Sequence, residues 1–227
     1  MHIIAVASQK GGSGKTTLAG HIAVAAERAG AGSVALVDTD PQGSLSEWWN
    51  ARKAETPYFA RTGSSRLAAD IERMRGLGID LLIIDTPPAI EATIVEVIRQ
   101  VDLVVIPARP SPHDLRAAGA TVDLVQKMGK PLVFVINGAT PRARITAEAA
   151  MALSQHGTLA PVVIHHRTGF AASMIDGRTV MEIAGDERSS AEIAQLWDYL
   201  GRRLSRDYRT VLPNGMSMPA LPAQGAA

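Results

Sequence analysis

Three glycines and two lysines fall within the eight residues Lys10-Gly11-Gly12-Ser13-Gly14-Lys15-Thr16-Thr17. A short apolar run precedes them and an Ala- and Leu-rich stretch of helical pattern follows. Glycines at 11, 12 and 14 let backbone N–H groups turn inward and approach phosphate oxygens closely. A helix starting there adds its positive dipole end. Lys15 is then placed to reach the β/γ-phosphates of a nucleotide, and the Thr16 hydroxyl to ligate Mg²⁺. The common phosphate-loop pattern has a glycine at position 9, where this chain has Gln9 followed by Lys10. Carboxylates come from two further apolar runs. Asp38 and Asp40 lie in Val37-Asp38-Thr39-Asp40-Pro41-Gln42-Gly43, and Asp85 closes Leu81-Leu82-Ile83-Ile84-Asp85. Any one of these aspartates alone could be a helix cap or a turn residue. Together with the glycine loop they read as a metal site built from Thr16, Asp38 and Asp85, as a nucleoside triphosphatase requires.

Elements that could position these groups are legible as alternating short and long patterns. Continuous apolar runs at Ile3–Ala7, Val34–Asp38, Leu81–Asp85, Leu103–Pro107, Leu132–Asn137 and Val162–His165, with a weaker one at Tyr58–Arg61, predict strands buried on both faces. Helical patterns are predicted near residues 15–29, 43–53, 65–76, 90–99, 114–128, 144–155 and 190–210. That alternation implies right-handed crossovers and one α/β domain, a mostly parallel twisted sheet flanked by helices. Ligands of such sheets bind outside the carboxyl ends of the strands, where the loop and the acids all lie. The domain is expected to span residues 1–212, with 213–227 as a flexible, uncharged tail.

Composition narrows the function classes. The chain has 227 residues, 46% hydrophobic and 20% charged, which is an ordinary globular balance. Lys+Arg 23 against Asp+Glu 22 leaves a net charge of +1, so any polyanion must be held by a local patch. Cysteine is absent, which excludes thiolate zinc sites, iron–sulfur clusters, disulfides and thiol nucleophiles. The apolar start is too short for a signal peptide, and no stretch approaches a membrane span. A cytoplasmic protein is expected.

The sequence Lys10–Thr17 resembles the deviant Walker A box of the ParA/MinD family of dimerising ATPases, whose mark is the extra lysine, here Lys10. Asp38-Thr39-Asp40-Pro41-Gln42-Gly43-Ser44 is similar to the ParA form of that family's first switch, and Asp85-Thr86-Pro87-Pro88 to its second. Pro107-Ala108-Arg109-Pro110-Ser111-Pro112-His113-Asp114-Leu115 is similar to a loop of the small, ParF-like ParA proteins. The resemblance spans roughly residues 3 to 210. It implies a P-loop NTPase fold of the SIMIBI type, ATP and Mg²⁺ as cofactors, and an ATP-sandwich homodimer. Lys10 would reach the partner's nucleotide and Asp40 would position the attacking water, with Lys15 completing the catalytic set. Residues 10–17 would hold the phosphates, Asp38 would support Mg²⁺ or the fold, and Asn137 would contact adenine unless it merely caps a strand end. Slow hydrolysis, stimulated by a ParB-like or other cargo adaptor, is implied as well.

Family members divide by what the ATP dimer binds. The start of the first strand at Ile3 leaves no room for a helix-turn-helix domain, and the absence of cysteine excludes the nitrogenase-type iron proteins. In the last helical pattern, Leu196, Trp197, Leu200, Leu204 and Val211 fall within about 60° of Ile193, while Arg202, Arg206 and Arg209 lie opposite. Such a stripe is either a solvated face or, with Arg203, Arg167 and Arg178, a surface for non-specific DNA phosphates. A membrane-bound, MinD-like regulator and a small-molecule ligase-type enzyme are the rival readings. The expected protein is thus a nucleoid-associated partition or positioning ATPase for a plasmid, a chromosome locus or a large protein cargo.

Overall fold

Valine, isoleucine and leucine in uninterrupted runs suit strands that are covered on both sides, and this is where the structure puts them. A computed structural model of the chain describes residues 1–63, 65–88 and 92–205. In chain order the elements are β1 (His2–Val6), α1 (Lys15–Arg28), β2 (Val34–Asp38), α2 (Ser44–Ala51), β3 (Tyr58–Arg61), α3 (Leu67–Gly76), β4 (Leu81–Asp85), α4 (Ala92–Gln100) and β5 (Leu103–Ala108). They continue with α5 (Pro112–Lys127), β6 (Leu132–Ala139), α6 (Arg144–Ser154), β7 (Thr158–His165), α7 (Thr168–Met174) and α8 (Glu187–Leu204).

The strands form one seven-stranded sheet in the order β3-β2-β4-β1-β5-β6-β7, and every neighbouring pair is parallel. Each strand feeds both faces. In β1, Ile4 and Val6 pack with Leu18 and Ile22 of α1 and with Ile193, Leu196 and Leu200 of α8. Ile3 and Ala5 point the other way, toward Ile94, Val97 and Ile98 of α4 and Ala118 and Val122 of α5. The apolar stripe expected on the last helix is therefore the seam that seats α8 on the sheet. The expected extension of that helix to residue 210, and the tail 213–227, lie outside the described residues.

Two differences from the sequence reading have physical causes. β7 begins four residues early, at Thr158, because Pro161 hides a strand that only a sheet edge tolerates. The pairing with β6 shifts register around that proline. The seven-residue helix α7 was not expected, being too short for a periodic signal; burial of Phe170 and Ser173 forms it.

The segment after α7 is tied to α1 and α2. Arg52 donates to the Gly177 carbonyl (2.8 Å) and, through both terminal nitrogens, to Glu182 (2.9 and 2.7 Å). Trp48 Nε1 donates to the Arg178 carbonyl at 3.0 Å. His21 is fully buried, donating from Nδ1 to the Thr17 carbonyl (2.7 Å) and accepting at Nε2 from the Val180 N–H (3.1 Å). Burial pulls its pKa down to about 4, so the ring is neutral. Arg52→Met leaves Glu182 without its charged partner and should lower stability by about 3 kcal/mol. In a thermal melt that is a fall in Tm of roughly 6–12 °C, and an unchanged Tm would show that the pair contributes nothing.

Candidate nucleotide-binding site

Register decides which strand ends meet. Val6 of β1 pairs with Asp85 of β4, and Asp85 pairs with Asp38 of β2. The glycine loop leaves β1 beside this row. Gly12 and Gly14 have positive φ (75° and 92°), so the loop turns where side chains would be strained. Gly14 has a second constraint: a Cβ there would stand 2.2 Å from Asn137 Nδ2. Thr39 and Thr86 fasten the strand ends, their hydroxyls donating to the Asp85 and Val6 carbonyls at 2.7 and 3.0 Å.

Thr16, first turn of α1, donates to Asp85 Oδ2 at 2.6 Å. The other oxygen of Asp85 is buried with no hydrogen-bond partner among the described residues. Burial pushes the Asp85 carboxyl up to about 7, with the Asp38 and Asp40 charges adding to the rise and Thr16 and Lys15 opposing it. Burial also lowers the Lys15 pKa, against the raising effect of Asp85 and Asp40. A buried carboxylate with an unpaired oxygen beside a threonine hydroxyl fits a hydrated divalent cation. Among the described residues no three His, Asp or Glu side chains converge on one point. Phosphate oxygens and water would therefore supply the remaining ligands.

Asp38, expected to support either Mg²⁺ or the fold, is committed to the fold. It is 0% exposed, and Oδ1 accepts from the Asp40 N–H at 3.0 Å. Oδ2 accepts from both the N–H and the hydroxyl of Ser46, at 2.9 and 2.7 Å. Ser46 lies in the first turn of α2, whose own cap residue, Gly43, has no side chain to offer. Asp38 is thus a remote cap for α2, which leaves Thr16 and Asp85 as the side chains that could hold a metal. Asp40 is half-buried, accepts from the Gln42 N–H at Oδ1 (3.0 Å), and faces the cleft.

The two loop lysines separate. Lys15 is buried, its ammonium 3.4 Å from the Lys10 carbonyl. Lys10 turns outward, 37% exposed, and its ammonium sits 2.5 Å from Asp114 Oδ2. Asp114 also accepts from the Ser111 hydroxyl at 2.5 Å, and Ser111 caps α5 by accepting from the Asp114 N–H. Burial pushes the Asp114 carboxyl up, but the bonds from Lys10 and Ser111 outweigh it and hold it below the usual range. No role for Asp114 follows from the sequence, because its contact lies 104 residues away.

Asn137 does reach the site, though against its floor. Its amide nitrogen donates to the Ser13 carbonyl at 2.7 Å, which braces the glycine loop from β6. That nitrogen is engaged by the loop. The cleft, about 670 Å³, is lined by Gly11, Gly12, Gly14 and Lys15–Thr17 from the loop side. Asp40, Glu47, Trp48, Arg109, Met174 and Ile175 line it from elsewhere, and Ile175 is 80% exposed. Trp48, Met174 and Ile175 carried no sequence signal, since the folded chain brings them from separate elements.

Of the arginines expected on DNA, the four among the described residues do not form one surface. Arg167 is bound through both terminal nitrogens to Glu192, Arg178 to Asp176, and Arg202 to Asp198. Arg203 donates to Thr158 at the start of β7, whereas Arg167 follows the end of that strand. Eight strand residues separate the two ends, roughly 23 Å. Arg206 and Arg209 lie outside the described residues.

Gly14→Ala combines a strained φ with a clash on Asn137 and should weaken binding of a fluorescent nucleoside triphosphate roughly 100-fold, about 3 kcal/mol; unimpaired binding would refute this loop geometry. Asp85→Asn should stabilise the protein. The Asp85 carboxyl favours its protonated form in the fold, so its contribution is fully present below pH about 4 and is lost as pH rises to about 7. The variant should therefore gain on the order of 5 °C in Tm at pH 7, and almost nothing at pH 4. An equal gain at both pH values would contradict the assignment.

Residues 4–180 match the CobQ/CobB/MinD/ParA nucleotide binding domain. The chain is 32% identical to the maintenance of carboxysome distribution protein A of Gloeobacter kilaueensis over 215 residues, 91% of this chain and 95% of that one. It is 27% identical to the protein of the same name from Halothiobacillus neapolitanus, covering 83% and 91%. Among solved structures, the septum site-determining protein MinD of Pyrococcus horikoshii with Mg-ADP superposes with a TM-score of 0.74 at 16% identity, covering 90% of this chain and 97% of that one. The ATP complex of Cyanothece McdA gives 0.68 at 18% identity, covering 88% and 96%. At such identity these structures establish the fold, a P-loop NTPase sheet of the MinD/ParA kind. With the family domain matched over most of its length and the phosphate loop, Thr16 and Asp85 in place, this chain belongs to the CobQ/CobB/MinD/ParA family of nucleotide-binding proteins.

Proposed function

We propose that the chain is a ParA-type ATPase that positions a large cargo, switching between an ATP-bound dimer on DNA and a released form. One observation carries this reading: the loop's two lysines serve different spaces. Lys15 is sunk in its own cleft, whereas Lys10 stands at the rim, partly exposed and held by Asp114. A lysine there is aimed at a nucleotide on a facing copy and serves as a charge stabiliser for phosphoryl transfer.

ATP and Mg²⁺ are the cofactors that this cleft suits. The ion would be held by Thr16 and, through water, by Asp85; it supplies charge neutralisation at the terminal phosphates. The loop amides and Lys15 bind the phosphates. Asp40, fixed by the Gln42 N–H, is placed to accept a hydrogen bond from the attacking water. Breaking the Lys10–Asp114 pair frees Lys10 to cross to the partner, which couples dimerisation to loss of a local ion pair.

Partition function is supported by the relatives, and an adaptor that stimulates hydrolysis belongs to the same reading. Two are named for carboxysome distribution, and a further one, 24% identical over 251 residues, is the chromosome-partitioning ATPase Soj of Thermus thermophilus. These names favour a large protein assembly or a DNA locus as cargo. Against a membrane-bound role for α8, Ile193, Leu196 and Leu200 are buried on the sheet and offer lipid nothing. No helix among the described residues is long and apolar enough to cross a membrane.

Asp40→Ala should bind ATP normally, hydrolyse it at less than a tenth of the native rate, and accumulate as an ATP dimer in light scattering. Lys10→Ala should bind ATP yet stay monomeric. Normal turnover by Asp40→Ala, or a normal ATP dimer from Lys10→Ala, would overturn the corresponding role.

A further inference from the structure

Two cationic side chains line the nucleotide cleft, Lys15 and Arg109, and they are held differently. Lys15 is buried on the glycine loop, its ammonium near the Lys10 carbonyl. Arg109 is exposed. Arg52, Arg167, Arg178 and Arg202 are each bound to an acid. The Arg109 guanidinium meets no carboxylate among the described residues, although Asp40 and Glu47 line the same cleft.

The fold fixes where this arginine stands. Val105 of β5 pairs with Val6 of β1, and its carbonyl accepts from the Ala7 N–H at 2.9 Å. β5 therefore ends beside the root of the glycine loop, one strand spacing of about 4.8 Å away. The backbone beyond β5 is pinned as well. Ser111 donates its N–H to the Arg109 carbonyl (2.7 Å) and its hydroxyl to Asp114, the carboxylate that holds Lys10. The Arg109 stem rests on β6. Gly138 has φ 65° and no side chain, and a Cβ there would stand 3.6 Å from Arg109 Nε and 3.8 Å from Cγ, ordinary van der Waals contact. The stem is thus laid on a bare glycine, which limits the rotamer freedom that a bound anion would otherwise have to remove. A fork of N–H donors kept clear of acids beside a phosphate loop is matched to two oxygens of one phosphate.

We propose that Arg109 is a further catalytic residue of this cleft, its guanidinium binding oxygens of the terminal phosphate of ATP held by the same subunit. The inference rests on the ATPase reading and deepens it. In hydrolysis the water oxygen bonds to the terminal phosphorus as the bond to the bridging oxygen breaks. ADP keeps that electron pair, and of the two water protons one stays on the phosphate and one passes to solvent. Charge grows on the transferring phosphoryl group and the leaving oxygen, and a fixed guanidinium there lowers the barrier. Lys10, aimed at the facing copy, cannot serve its own cleft in this way, whereas Arg109 lines it from the β5 side. ADP lacks the terminal phosphate, so the contact also distinguishes the two nucleotides.

The test measures binding of ribose-labelled fluorescent ATP and ADP with Mg²⁺, and phosphate release from ATP, for the native chain and Arg109 variants. Arg109→Ala should weaken ATP binding about tenfold or more and leave ADP binding within about twofold. Its kcat should fall roughly 100-fold, while its thermal melt stays native, since the side chain is exposed. Arg109→Lys, which keeps the charge without the fork, should recover part of both losses, and Arg109→Gln, which keeps only the stem, neither. The same selective loss of ATP binding is expected in the Lys10→Ala background. Selective loss confined to the Lys10-containing protein would place Arg109 on a partner's nucleotide and overturn the inference. Equal weakening of ATP and ADP, full recovery by Arg109→Gln, or native binding and turnover by Arg109→Ala would each overturn it and leave the ATPase reading standing. A native chain that binds neither nucleotide would remove the ATPase reading and the inference together.

Discussion

The row formed by Val6, Asp85 and Asp38 is the constraint on which this molecule depends. Parallel pairing with β4 between β1 and β2 brings an apolar strand end, from which the glycine loop leaves, against two adjacent carboxylates. A slip of one residue would turn every side chain of a strand to the other face of the sheet. It would bury the loop's approach and expose Asp85. The register is secured by Thr39 and Thr86, which bridge the carboxyl ends of the strands, and by two apolar layers that alternate residue by residue along β1.

Two like charges so close cannot both be comfortable, and the structure treats them differently. Asp38 receives three hydrogen bonds and serves α2 as its cap. Asp85 receives one, from Thr16, and its pKa rises to about 7. The same low-dielectric setting lowers the Lys15 pKa. An arrangement that holds a carboxyl half-protonated and an ammonium short of counter-charge is unfavourable on its own. Phosphates and a divalent cation would relieve it, which is why perturbed groups concentrate where ligands bind.

Around that row the cleft is assembled from parts far apart in the chain. Trp48 of α2 and Arg52, which follows it, bind the segment after α7, and so bring Met174 and Ile175 over the phosphate loop. Asn137 braces the loop from β6, and Asp114 of α5 fixes Lys10 at the rim. The nucleotide cleft and Lys10 therefore share one end of the sheet.

Much of this was legible in the residues alone. Uninterrupted apolar runs announced six buried strands and a weaker run the seventh, β3, which the fold leaves partly exposed at the sheet edge; β2, β3 and β4 begin and end where the runs do. The loop residues 10–17 and the acid at 85 declared phosphate and metal chemistry, because those types at that spacing have few other uses. Local pattern could not show how acids, arginines and the asparagine are partnered. Asp38 reads as a ligand until Ser46 is found on it; Arg167, Arg178 and Arg202 read as free cations until Glu192, Asp176 and Asp198 neutralise them. A side chain's type and spacing set the chemistry it can do, and that much the sequence determined. Whether the group is available for it depends on what the fold packs within about 3 Å, and those neighbours, 104 residues away for Lys10 and 124 for Asn137, were decided only by the tertiary structure.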